Sequence, residues 1–380
     1  MGKILVSAND MEIGGIQKSL IVFVEYLVSL GHDIDLVLWQ KGGVLRNKIP
    51  TSVNIIEIEP STTWKNIGKE KNVFKKIYLF ISYLKFKFYA LIIKKAWLFF
   101  PKIRKKYDVA VCYSQNGFPR FYIIDNVAAD MKYLWYHHGS YDSFGAAHEL
   151  DKKYYSEFNQ VVTVSDSNKE MLQKYFSAIT DKIVVIPNII NIDEVIRLAE
   201  DDVQDFRRTE GYFNLVTVAR FSKEKGIDLS IDIAIVLRER GLKFKWYFIG
   251  DGSSFLQIKE KIKKQNLEDF CILLGSKENP YPYMKHADLY IQTSYVESQS
   301  ITVYEALVLK KIIVATNLPA LNEALQKGKL GVLCTPATSS FVEAILLLLN
   351  DSIGRQKIVT AVENYTVQNE RAYKQITELF

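Results

Sequence analysis

Residues 214–249 read NLVTVARFSKEKGIDLSIDIAIVLRERGLKFKWYFI. The stretch opens on one β-branched run, 214–219, and closes on another, 244–249. Between them, 226–240 carries apolar residues at helical spacing, and Gly241 closes the helix. Two short strands joined by an amphipathic helix form the unit of a parallel sheet. Parallel neighbours need a long crossover, and a helix supplies it.

The same alternation continues in both directions. Downstream, the pattern predicts a helix over 254–265 and strands over 271–274, 289–292 and 312–315. Near the start, it predicts a strand over 3–7, a helix over 15–30 ended by Gly31-His32, and a strand over 33–39. Strands over 109–113, 133–136 and 161–164 follow. The two series meet near 187–212, where charge rises and strand signals stop. A chain of 380 residues exceeds one ordinary core, and 48% apolar residues suffice for two. The expected class is α/β, with two Rossmann-like parallel-sheet domains at 1–187 and 188–365. Residues 366–380 are expected to form a helix that packs on either domain, back on the first or against the second.

Three cysteines, Cys112, Cys271 and Cys334, show no metal-ligand spacing and no pairing, so they are expected to be inert thiols. Met1-Gly2-Lys3 runs straight into Ile4-Leu5-Val6 with no signal-peptide pattern, which predicts a cytoplasmic protein. The net charge of +6 is unevenly spread. Residues 64–107 hold thirteen Lys or Arg and one acid, Glu70, so the rest of the chain is net acidic. One basic patch on an acidic protein points to one anionic surface. Aromatic residues such as Phe74, Tyr78, Phe86, Phe88 and Trp97 interleave with those lysines. Lys85, Lys87, Lys94 and Lys95 cut every apolar run below the ~18 residues of a membrane span. Rings at headgroup depth and lysines on anionic lipid suit an interfacial segment, so peripheral attachment to the inner membrane face is expected. No nucleic-acid motif accompanies the patch, and no nucleic-acid partner is expected.

Chemistry is expected where strands hand over to helices. Gly14-Gly15 lies between the first strand and first helix, where bare backbone amides can approach a phosphate. Arg220 and Lys225 flank R-F-S-K-E-K-G (220–226) and can meet one anion, stabilising charge on a leaving diphosphate. In E-S-Q-S-I-T-V-Y-E (297–305), a loop with free amides enters a helix between Glu297 and Glu305. Carboxylates there can accept several hydroxyl protons from ribose or sugar. His32, His148 and His286 show no ligand geometry, no D-x-D element suggests a catalytic metal, and no metal and no other cofactor is expected.

The ordered series is Gly14-Gly15, R-F-S-K-E-K-G, Gly250-Asp251-Gly252, A-D-L-Y-I-Q (287–292), then the two glutamates eight apart. It resembles glycosyltransferase family 4, the retaining enzymes of the GT-B fold, over nearly the whole chain and most strongly over 213–316. The resemblance implies two Rossmann-like domains facing each other across a cleft. It implies that Arg220 and Lys225 hold the donor diphosphate, Glu305 the ribose and Glu297 the transferred sugar. Amides from Ser298, Gln299, Ser300 and Ile301 would line the donor pocket. Gly250 would lie in it, Gly275 and Ser276 beside the base, and Asn188 at the domain junction. The family's active-site histidine falls within W-Y-H-H-G (135–139): W-x-H favours His137 and H-G favours His138, with His137 preferred. Ser298-Gln299-Ser300 stands where the family often has Gly-Phe-Gly, so donor choice does not carry over.

The expected activity is retaining transfer of a hexose or N-acetylhexosamine from a nucleotide diphosphate sugar, UDP first. The acceptor is expected to be a polyprenyl-linked sugar in capsule, exopolysaccharide or O-antigen synthesis. The alternatives are a soluble or protein acceptor, or a sugar-nucleotide 2-epimerase of the same fold. A dinucleotide-dependent oxidoreductase is disfavoured by the missing G-x-G-x-x-G.

Overall fold

In the computed structural model the described residues are 2–58, 64–141, 146–206, 208 and 210–380. The side chains of 64–66 and 146, including Trp64 and Lys65 of the basic segment, lie outside the described residues. The chain forms two compact units. Unit 1 comprises Met1–Val164, Lys169–Ile186 and Lys374–Phe380; unit 2 comprises Ser165–Asn168 and Pro187–Tyr373.

Unit 1 is built on β1 (Lys3–Ala8), β2 (Asp33–Leu38), β3 (Asn54–Glu57), β4 (Ile103–Cys112), β5 (Val127–Tyr136), β6 (Gln160–Thr163) and β7 (Ile183–Val185). They pair in parallel in the order β3-β2-β1-β4-β5-β6-β7. Lys374–Phe380 returns to this unit: the Phe380 ring lies 5.7 Å from Phe23 and 5.9 Å from Tyr133. The Tyr26 hydroxyl meets Thr377 Oγ1 at 2.7 Å, and Gln375 Nε2 donates to the Val185 carbonyl at 2.8 Å.

Unit 2 is built on β8 (Phe213–Val218), β9 (Phe244–Ile249), β10 (Cys271–Gly275), β11 (Leu289–Gln292), β12 (Ile312–Thr316) and β13 (Gly331–Cys334). The order is β10-β9-β8-β11-β12-β13, again with parallel pairing. Successive strand side chains point to opposite faces, and both faces are covered. Phe244, Trp246 and Phe248 of β9 join one core with the helices Ile227–Glu239 and Thr338–Asn350. Tyr247 and Ile249 join the other with the helices Ile192–Leu198 and Ile301–Val308.

The strands expected from sequence are present, with ends moved by a residue or two except at β4 and β5, which start six residues early. The start of β4 is Ile103-Arg104-Lys105-Lys106, largely exposed, so burial leaves no apolar signature there. The basic segment is therefore shorter than 64–107, because 103–107 belongs to the sheet and Tyr107 is buried against Asp35 Oδ2 at 2.5 Å. Three short strands, β3, β7 and β13, have no counterpart in the sequence reading; each sits at or next to a sheet edge and spans four residues or fewer.

What remains of the basic segment includes the helix Val73–Leu91, capped by Asn72 Oδ1, which accepts from the Lys75 amide at 3.1 Å. None of its nineteen residues is buried. Phe74, Ile77, Tyr78, Ile81, Leu84 and Phe88 are all exposed, spaced at three and four residues along one face. Its foot is fixed to unit 1 through Asp125. Oδ2 of that residue accepts from Lys95 Nζ (3.1 Å), Trp97 Nε1 (2.7 Å) and the Tyr154 hydroxyl (2.6 Å). Burial works to raise the Asp125 pKa, but these bonds outweigh it and hold the carboxyl below its usual range. Among the described residues, no helix is long and apolar enough to cross a membrane.

Candidate active site

In a doubly wound sheet, ligands bind beyond the carboxyl ends of the strands where the strand order reverses. In unit 2 that point lies between β8 and β11. The loops that follow these two strands are the two motif segments, 219–226 and 293–300.

Hydrogen bonds to backbone carbonyls zip the two loops together. The Tyr295 amide donates to the Glu224 carbonyl at 2.8 Å, and the Thr293 hydroxyl to the Gly226 carbonyl at 2.9 Å. Gly226 has φ +62°, and a Cβ there would lie 2.1 Å from the Thr293 carbonyl oxygen, so only glycine fits. This contact brings Lys225 Nζ to 2.8 Å from Glu297 Oε1. The same oxygen accepts from Gln292 Nε2 at 2.8 Å and from the Ser294 hydroxyl at 2.7 Å. Gln292 is itself oriented by the Tyr290 hydroxyl, which donates to its Oε1 at 2.8 Å. The Glu297 side chain is only 4% exposed against 22% for Lys225, so the lysine keeps the more open side of the pair.

Arg220 lies on the same loop, largely exposed, with a guanidinium nitrogen 3.5 Å from Glu224 Oε1. Gly250 follows β9 with φ +141°, and a Cβ would stand 1.9 Å from the Ala219 carbonyl oxygen. Its glycine therefore serves close packing against the Arg220 loop. Its amide donates to the Gly275 carbonyl at 2.9 Å, which sets Gly275 and Ser276 on the adjoining strand end. Glu305 is buried in the helix Ile301–Val308, and its Oε1 accepts from the Tyr281 hydroxyl at 2.7 Å. Burial and then the Glu305 charge push the Tyr281 pKa well up, so it stays a neutral donor. Ser298 and Ile301 are half-buried. Gln299 and Ser300 are buried, Gln299 is bonded to Asn188, and the Ser300 hydroxyl is buried with no hydrogen-bond partner among the described residues.

In unit 1 the order reverses between β1 and β4, and Asn9 Nδ2 donates to Ser114 Oγ at 2.8 Å across that point. Gly14 is extended and Gly15 opens the helix Gly15–Ser29. The two histidines after β5 differ sharply. His138 is exposed, with Nδ1 3.0 Å from the Ser140 carbonyl. His137 is buried against the Tyr113 ring at 4.6 Å; its amide donates to Gln115 Oε1 at 3.2 Å, and its Nε2 is buried with no hydrogen-bond partner among the described residues. Burial pushes its pKa down to about 3, so the ring is neutral at ordinary pH.

Gln292, Ser294, Tyr281 and Gln115 were not singled out from sequence. Gln292 stands in an otherwise apolar strand, and that break in a buried run is the signal that marks it. Among the described residues, no group of three or more His, Cys, Asp or Glu side chains is arranged to hold a metal.

Residues 13–194 match the model of "Glycosyltransferase Family 4" and residues 199–365 that of "Glycosyl transferases group 1". A poly(ribitol-phosphate) alpha-N-acetylglucosaminyltransferase of Staphylococcus aureus is 21% identical over 70% of this chain and 54% of its own length. An amylovoran biosynthesis glycosyltransferase of Erwinia amylovora is 25% identical over 43% of this chain and 44% of its own. The chain spans about half the length of the curated relatives it matches. The crystal structure of Anabaena HepE in complex with UDP-glucose shares the fold, at TM-score 0.71 and 17% identity, over 100% of this chain and 99% of that one. With family models matched on both halves, the chain belongs to glycosyltransferase family 4, and its two parallel-sheet units are those of the GT-B fold.

Proposed function

We propose that the protein transfers a hexose or N-acetylhexosamine, with retention, from a UDP-sugar to a lipid-linked sugar acceptor during cell-surface polysaccharide synthesis. The observation that carries the reading is the Lys225–Glu297 pair at the β8/β11 reversal. A lysine held at a strand end by a buried carboxylate is a fixed cation, ready for negative charge that develops on a leaving diphosphate. Arg220, on the same loop, adds a second cation, so transfer needs no divalent metal and persists in EDTA. Glu297, fixed by Gln292 and Ser294, faces the transferred sugar, and Glu305 takes the ribose. His137, neutral and with an Nε2 that no described residue bonds, is the histidine that meets the donor sugar as a hydrogen-bonding group. UDP is favoured because HepE, one of the structural neighbours, was solved with UDP-glucose.

The membrane side of the reading rests on the helix Val73–Leu91, which presents an apolar face and lysines that are exposed among the described residues. Anionic phospholipid on the cytoplasmic side complements that charge. Lys75 is partly committed to Glu70 at 3.1 Å, so Lys76, Lys85 and Lys87 supply most of the attraction. The name of the Erwinia relative, amylovoran biosynthesis, supports a polysaccharide product.

The test is transfer from a panel of UDP-, GDP- and ADP-sugars to membrane extracts, with wild-type protein and Glu297→Gln. Incorporation from a UDP-sugar into a lipid-extractable product, lost in the variant, is expected. Turnover of the nucleotide sugar without acceptor would instead identify an epimerase. Near-normal transfer by Glu297→Gln would remove Glu297 from the mechanism.

A further inference from the structure

Among the described residues, the side-chain amide of Gln299 is committed to a single neighbour. Its Oε1 accepts from both the backbone N and the Nδ2 of Asn188, each at 2.7 Å, and its Nε2 donates to the Asn188 carbonyl at 3.3 Å. Both residues are more than nine-tenths buried. Asn188 is the second residue of unit 2 after the chain leaves Ile186. The residue after Gln299, Ser300, has φ +57° and ψ +71°, a left-handed conformation that side chains with a Cβ enter only at a cost. No side-chain cap bond holds Ser300 there, although the helix Ile301–Val308 begins on the next residue. The unfavourable backbone and the three-bond clasp are thus adjacent, and a local cost of this kind persists only where its surroundings impose it.

We propose that Gln299 is a positioning residue: by clasping Asn188 it holds Ser300 left-handed, and so keeps the loop amides aimed at the donor diphosphate without touching the donor itself. The proposal rests on the donor reading above. It assigns Gln299 and Asn188 to the support of the pocket rather than to its lining. It also makes the donor loop respond to the conformation of the chain just past the crossing at Ile186-Pro187.

Gln299→Leu removes the clasp at similar volume, and Ser300→Gly removes the backbone cost that the clasp offsets. The experiment measures binding of UDP, GDP and ADP, donor KM and kcat, and amide hydrogen exchange in the ligand-free protein. Gln299→Leu is expected to weaken binding of the preferred nucleotide and raise donor KM by about tenfold, with kcat little changed. Exchange should quicken at residues 298–302 but not in β11 or β12. Adding Ser300→Gly to Gln299→Leu should restore most of the lost affinity. Wild-type nucleotide affinity in Gln299→Leu would overturn the role. A loss that Ser300→Gly does not restore, with faster exchange throughout unit 2, would overturn it in favour of general packing. A wild-type protein that binds none of the three nucleotides would overturn the donor reading and this role with it.

Discussion

His137 and His138 are neighbours in sequence, yet one is buried against Tyr113 and the other is in solvent. The sequence patterns favoured His137 without deciding between the two, because which of two adjacent residues turns inward depends on where β5 ends. The difference has a thermodynamic signature. The folded-state pKa of His137, about 3, lies below its ordinary 6.5, so the unfolded chain takes up the proton first as pH falls. The stability it supports is complete above pH ~6.5 and is lost as pH drops toward 3, by up to about 1.4 kcal/mol per pH unit. His137→Gln should flatten the dependence of Tm on pH between about 4 and 6.5. An unchanged slope would mean that another group governs the acid limb. Lys225, Glu297 and Glu305 were legible as a spaced motif, whereas Gln292 and Ser294, which hold Glu297, were not: their role appears only when β8 and β11 lie side by side. At Gly250, alanine would drive a Cβ into the Ala219 carbonyl. Gly250→Ala is expected to cost about 2 kcal/mol or more and to weaken UDP binding, as read by urea unfolding and calorimetry.

Among the elements, the central strands of both sheets were legible because burial on both faces leaves continuous apolar runs. The edge strand β3 and the exposed start of β4 were not, since neither carries that pattern. The helix Val73–Leu91 is the reverse case: its apolar face is plain in sequence, but only the fold shows that it stays exposed among the described residues. Because none of its residues is buried, charges can be added there at little cost to folding. Ile77→Asp with Ile81→Asp should abolish sedimentation with phosphatidylglycerol vesicles while leaving Tm within about 1 °C and transfer to a detergent-soluble acceptor intact. Binding that survives the double substitution would exclude this helix as the lipid contact.

For the molecule as a whole, sequence located two sheets but could not show how the chain is shared between them. Unit 1 is completed by Lys374–Phe380, whose Phe380 ring fills space beside Phe23, Tyr133 and Trp135. Phe380→Ala should cost unit 1 about 1–2 kcal/mol, seen as a lower unfolding midpoint in the near-UV circular dichroism of its tryptophans. Nucleotide binding, which belongs to unit 2, should persist in the same variant. The shared layout also bears on how the protein is made. A ribosome delivers residues in order, so the sheet that begins first must wait, with a gap beside Phe23 and Trp135, while all of unit 2 is synthesised. At about 5–20 residues per second that wait lasts on the order of ten seconds or more. Throughout it the nascent chain carries an incomplete apolar surface for chaperones to shield, and the half that starts first is the half that matures last.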